Sequence, residues 1–93
     1  MISNFDVEEL VEEKVKTVQK GENSLVLYND EVNSFQEVIL ALTLICDHNP
    51  IQAEQCAMIA HNTGKCVIKT GNYLVLEKMK YKLEDINLTV EIQ

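Results

Sequence analysis

Three groups of side chains in this 93-residue chain have types and spacing that suggest chemistry. The first is Asn29-Asp30-Glu31-Val32-Asn33, two amides and two acids that close a short apolar run, Leu25-Val26-Leu27-Tyr28. It gathers hydrogen-bond acceptors in one place, and acceptors with a carboxylate among them suit a cation or an amine. The second is His61 with the thiols Cys46, Cys56 and Cys66. A cysteine nucleophile needs a base beside it and a group to orient that base. Cys56 precedes His61 by five residues on one expected helix, more than a quarter-turn away, and Cys66 falls on the interior face of an expected strand. Neither makes a nucleophile–base pair. The third is a metal set drawn from Cys46, His48, Cys56 and His61, whose spacing matches no zinc ribbon or finger. An odd number of widely spaced cysteines is no disulfide framework either, so the thiols read as small buried hydrophobes. P-loop, GxGxxG and metalloprotease motifs are missing. The expectation is a protein that is not an enzyme and carries no cofactor and no metal.

The acceptors need rigid elements to hold them. Leu25 to Tyr28 has the length and the β-branched or aromatic content of a strand. Two overlapping helix starts follow, Asn33 with Gln36 three residues on and Ser34 with Glu37 three residues on. The local reading is strand, tight polar corner, helix. Such a corner can also be polar and bind nothing, and its shape alone leaves both readings open. The first helix is expected from Ser34 to Asp47, with Phe35, Val38, Ile39, Leu42, Ile45 and Cys46 on a wide apolar face. Asn49 then caps a second helix with Pro50 at its first position, and Gly64 suits the left-handed residue after its end. Ala53, Cys56, Ala57 and Ala60 give this helix a narrow stripe of small side chains. His61 lies in its last turn, where the helix dipole favours a polar or cationic ring; the histidine either caps its own helix or binds a ligand. Lys65 to Lys69 reads as a strand, and Thr70-Gly71-Asn72 opens a third helix that Glu84-Asp85 stops after about Leu83. Leu88, Val90 and Ile92 alternate with polar residues as a last strand. The order β-α-α-β-α-β implies an α/β sandwich of the α+β kind, a three-stranded sheet packed on three helices.

Composition bounds the partners. The net charge is −7 and there is no arginine, the residue best suited to phosphate and guanine, so nucleic acid is not expected. No apolar run approaches the ~18–20 residues that span a bilayer, and the start has no secretory leader, so a cytoplasmic protein without membrane contact is expected. Residues 1–23 stand apart: Asp6, Glu8, Glu9, Glu12, Glu13 and Glu22 face Lys14, Lys16 and Lys20, and the apolar residues between them are too sparse to cover much of a core. They read as a flexible acidic arm, either a solvated leader or a segment used by a partner.

The two polar motifs together resemble the ClpS family, the adaptor of the bacterial Clp protease. The likeness is carried by Leu27-Tyr28-Asn29-Asp30-Glu31-Val32-Asn33-Ser34-Phe35 and by Gln52-Ala53-Glu54-Gln55-Cys56-Ala57-Met58-Ile59-Ala60-His61-Asn62-Thr63-Gly64-Lys65-Cys66. The family pattern is an Asn-Asp-Asp corner, a polar residue and a Met or Phe opening the first helix, then His-x-x-Gly-Lys after the second. The resemblance implies the same β-α-α-β-α-β fold over residues 24–93, and a function that periodicity does not reach. Members bind the N-terminal residue of a substrate when it is large and apolar (Leu, Phe, Tyr or Trp), as found on N-degron proteins. They pass it to a Clp AAA+ unfoldase by docking on that enzyme's N-terminal domain. Carried over by position, Asn29, Glu31 and His61, with Asp30 beside them, hold the α-ammonium, while Asn33, Phe35, Val38, Ala57, Ala60 and Leu88 line the side-chain pocket. Residues 1–23 resemble the family's hand-over arm, and the chain is expected to be a monomer. Glu31 stands where members most often have Asp, and Ala57 where many have Met, which implies a longer carboxylate reach and a roomier pocket. The other reading of this fold is an interaction module that does not read N-termini.

Overall fold

The computed structural model describes residues 22–93. Strand β1 spans Asn23–Tyr28, helix α1 Phe35–Ile45, α2 Pro50–Thr63, β2 Lys65–Gly71, α3 Tyr73–Asp85 and β3 Thr89–Ile92. The order is the expected β-α-α-β-α-β. The flexible arm read at residues 1–23 lies outside the described residues except for Glu22 and Asn23, and Asn23 is already the buried first residue of β1.

Each helix starts on a cap that the chain encodes locally. Of the two candidate boxes before α1 the second forms: Ser34 Oγ accepts from the Glu37 N–H at 3.1 Å, and Glu37 Oε1 accepts from the Ser34 N–H at 2.8 Å. Asn33 is drawn away from capping because its Nδ2 donates to the Asn87 carbonyl at 3.0 Å. Asn49 Oδ1 accepts from the Gln52 N–H at 2.8 Å to open α2, and Asn72 Oδ1 accepts from the Leu74 N–H at 2.8 Å to open α3. Gly64 ends α2 at φ 102°, a conformation that costs a side chain-bearing residue about 1–2 kcal/mol. The third helix runs two residues past the expected Leu83 because Glu84 and Asp85 do not break a helix; the turn comes at Asn87, φ 69°. At the end of α1, Asp47 (φ 60°) makes the corresponding turn, so the helix stops short of the expected Asp47.

The sheet is antiparallel in the order β2-β1-β3, with β1 central. Tyr28 pairs with Lys65 on one side and Thr89 on the other, and Asn23 pairs with Gly71, which carries β2 two residues beyond the expected Lys69. Period-two alternation turns Leu25 and Leu27 of β1, Cys66 and Ile68 of β2 and Val90 of β3 toward the helices. Leu42 and Cys46 of α1, Ala53 and Ala60 of α2, and Leu76 and Leu83 of α3 close the core over them. Each such leucine adds about 1.5–3 kcal/mol of burial. No helix among the described residues is long and apolar enough to cross a membrane.

Candidate functional site

The polar corner is built by backbone bonds before any ligand is considered. Asn29 N–H donates to the Gly64 carbonyl at 2.9 Å, fastening the end of β1 to the end of α2. His61, in the last turn of α2, is thereby held beside the corner. Asp30 Oδ1 accepts from the N–H groups of Val32 at 2.9 Å and Asn33 at 3.0 Å, which folds the chain back toward the α1 cap. Its second carboxylate oxygen remains for another donor. Glu31 is exposed, and among the described residues its carboxylate has no hydrogen-bond partner. The Asn33 amide nitrogen is engaged with Asn87, leaving its carbonyl oxygen as an acceptor.

These residues stand at one concavity of about 480 Å³. Its polar side is Asn29, Asp30, Glu31, Asn33 and His61, and its apolar side includes Phe35 and Val38 of α1 with Ala57 and Ala60 of α2. The volume lies within the range of small-ligand pockets, ~300–1,000 Å³. The walls carry two carboxylates and no lysine, so the site can take a cation and the apolar group attached to it. Both alanines are buried, 4% and 3% exposed, and their small side chains set the depth of the apolar end.

One residue expected in the pocket is elsewhere. Leu88 is 4% exposed and belongs to the hydrophobic core, not to the walls of the concavity. Its N–H donates to the Leu83 carbonyl at 3.1 Å, which holds it under the α3–β3 turn. Leu27 and Tyr28, which the sequence reading did not assign to the site, are walls. The signal for them was their place as the last two strand residues before the corner.

The thiols lie apart from this chemistry. Burial pushes both Cys46 and Cys66 up to about 11, the opposite of what a nucleophile needs. Cys56 is half-buried on α2. His48 is buried, and its Nε2 donates to the Ile68 carbonyl at 2.6 Å as a strut between the α1–α2 loop and β2. Among the described residues no three His, Cys, Asp or Glu side chains converge to hold a metal.

The sequence profile of the family described as "ATP-dependent Clp protease adaptor protein ClpS" matches residues 19–91. The chain belongs to the ClpS family. The description is of a protease adaptor, a binding role and not a catalytic one. No curated protein is a significant match to the sequence. Among solved structures, the ClpS-family chain is similar to Agrobacterium tumefaciens ClpS2 bound to L-phenylalaninamide, with a TM-score of 0.74 at 16% identity. The superposition covers 78% of this chain and 95% of the Agrobacterium one, so the two share a fold over almost the whole of ClpS2.

Proposed function

We propose that this ClpS-family adaptor binds the free N-terminal residue of N-degron proteins, Leu, Phe, Tyr or Trp, and delivers them to a Clp AAA+ unfoldase. The observation that carries the reading is one concavity lined by carboxylates, amides and a histidine together with Phe35, Val38, Ala57 and Ala60. An N-terminal residue has the matching pattern, an ammonium with three donors on the carbon that bears the apolar side chain. The similar structure of ClpS2 holds phenylalaninamide, which joins a free amine to an aromatic side chain.

In this reading Asn29, Glu31 and His61 accept from the ammonium and Asp30 adds charge while holding the corner. Asn33, Phe35, Val38, Ala57 and Ala60 surround the side chain, and Leu88 supports them from the core next to the Asn33–Asn87 bond. Each charge-assisted hydrogen bond contributes about 1.5–3 kcal/mol and burial of the side chain about 1.5–3 kcal/mol. After association costs a net of about −8 kcal/mol is reasonable, a micromolar complex. An internal peptide amide has no charge to offer and an extra residue where the ammonium should sit. Residues 24–93 then form the adaptor core and residues 1–23 the arm used in hand-over. The core docks as a monomer on the unfoldase N-terminal domain, in the cytoplasm.

The test is fluorescence anisotropy with a labelled peptide that begins in free Leu or Phe. Micromolar binding is expected, and it should vanish when the peptide is N-acetylated or extended by a leading Gly, and with the His61→Ala protein. Failure to bind any of Leu, Phe, Tyr or Trp at the terminus overturns the reading and leaves an interaction module that ignores N-termini.

A further inference from the structure

The three thiols form a cluster that the candidate site does not use. Cys56 of α2 is half-buried and keeps some access to solvent, whereas Cys46 at the end of α1 and Cys66 of β2 are buried. Small side chains at Ala53, Ala57 and Ala60, all buried, let α2 lie close against β2. Cys56 is one turn from both Ala53 and Ala60, so it shares that face and packs against the core cluster that holds Cys46 and Cys66. Across the α2–β2 contact the Cys56 and Cys66 side chains are hydrogen-bond neighbours. Cys66 Sγ also donates to the Val67 carbonyl at 3.4 Å. Cys46 is near enough to Cys56 to feel its charge but shares no hydrogen bond with it.

Both ends of the Cys56–Cys66 contact are tied to the candidate site. Ala57 follows Cys56 directly, and Cys66 pairs with Leu27; both neighbours are walls of the concavity. Between the two cysteines lie Ala60 and His61, also walls, and Gly64, whose carbonyl accepts from the Asn29 N–H. A bond between the two sulfurs would therefore close a loop around the end of α2.

We propose that Cys56 and Cys66 are a redox pair: a small disulfide such as oxidised glutathione converts them to an intramolecular disulfide that staples α2 to β2 and locks residues 57–65, which carry His61, while Cys46 stays a thiol. Cys56 reacts first because it is the thiol that an oxidant reaches. Its thiolate attacks one sulfur of oxidised glutathione, breaks that S–S bond and releases one glutathione thiolate, which takes up the proton that Cys56 gave up. Cys66 then gives up its proton and attacks Cys56 Sγ, expelling the second glutathione. The two thiols lose two electrons and two protons, and one glutathione disulfide becomes two glutathione thiols. Burial pushes Cys66 up to about 11, which suits it to the second step, inside the protein, and not to the first. Paired cysteines that cycle in this way are a form that redox sensing takes where stable disulfides are rare.

The experiment is oxidation of the full folded chain by excess oxidised glutathione, followed by alkylation after acid quenching and denaturation, and by mass spectrometry without reduction. The chain should become lighter by two hydrogens, with Cys46 alone alkylated and a peptide bond map that joins Cys56 to Cys66. Cys66→Ala should stop one step earlier, as a chain one glutathione heavier at Cys56, and Cys46→Ala should oxidise as the unaltered chain does. Amide exchange in residues 57–65 should slow about tenfold in the oxidised chain and recover on reduction. A chain that stays fully reduced, or a bond that joins Cys46 to either other thiol, overturns the pair. Unchanged exchange in residues 57–65 overturns the lock. None of these readouts uses a peptide ligand, so the outcome is independent of whether the concavity reads N-termini.

Discussion

Removing charge at the corner without removing shape separates recognition from architecture. Asp30 and Glu31 are adjacent acids with different environments. Asp30 Oδ1 already holds two backbone N–H groups, whereas the exposed Glu31 carboxylate is free for a ligand. Asp30→Asn keeps an oxygen where the two N–H groups need it, so the corner should survive with only its charge lost. Asp30→Ala removes the acceptor for both. At about 0.5–1.5 kcal/mol per hydrogen bond the alanine variant should lose about 1–3 kcal/mol of stability. For a domain of this size that lowers Tm by about 4–8 °C per kcal/mol. Glu31→Gln should leave Tm unchanged and act on binding alone.

The size of that binding effect follows from exposure. A charge-assisted hydrogen bond contributes about 1.5–3 kcal/mol, but a pair left in water contributes under about 1 kcal/mol. Glu31 starts exposed and is only partly covered by a bound terminus, which places its loss near 1.5 kcal/mol, about tenfold in Kd. Asp30→Asn, with no direct bond broken, should cost about threefold. Anisotropy with a free-Leu peptide, alongside thermal melts by circular dichroism, measures both axes. If Glu31→Gln bound the peptide within twofold of the unaltered protein, the carboxylate would not be the ammonium's partner. If Asp30→Asn melted like Asp30→Ala, the account of the corner would be wrong as well.

Three further outcomes are expected. Ser34→Ala removes the side-chain half of the α1 capping box and should cost about 1 kcal/mol, seen as a lower urea midpoint with an unchanged m-value. Ala57→Met fills part of the 480 Å³ concavity, so peptides starting in Ile or Val should lose more affinity than those starting in Leu; an unchanged ranking refutes the idea that Ala57 widens the pocket. The raised Cys46 and Cys66 values, about 11 against an ordinary 9.0, mean the folded state binds these protons more tightly than the unfolded one. Their contribution is full below pH 9 and is lost as pH rises through 11, so Tm should fall across that window, less steeply in Cys46→Ala than in the unaltered protein.

The parts of this molecule that could be read from its sequence are those set by neighbours in the chain. Asn49-Pro50 and Gly64 bound α2 where expected because a cap is satisfied within three or four residues. Strand faces followed alternation for the same reason. Choosing between the Asn33 and Ser34 boxes needed a residue far along the chain, since the Asn87 carbonyl competes for the Asn33 amide. The same kind of distance hid the role of His61. Spacing could not distinguish a self-capping histidine from a ligand-binding one, because what places it at the corner is the bond from Asn29 N–H to the Gly64 carbonyl. Leu88 was assigned to the pocket by position within a family pattern; it lies in the core at 4% exposure, while Leu27 and Tyr28 stand at the wall. The exposed Leu40 and Leu44 show the limit from the other direction. A wide apolar face on α1 was legible, but which leucines the fold would cover was not, because that depends on α2 and α3 packing against α1 from one side only. What remains uncovered after the core is closed is therefore information that only the packed structure carries.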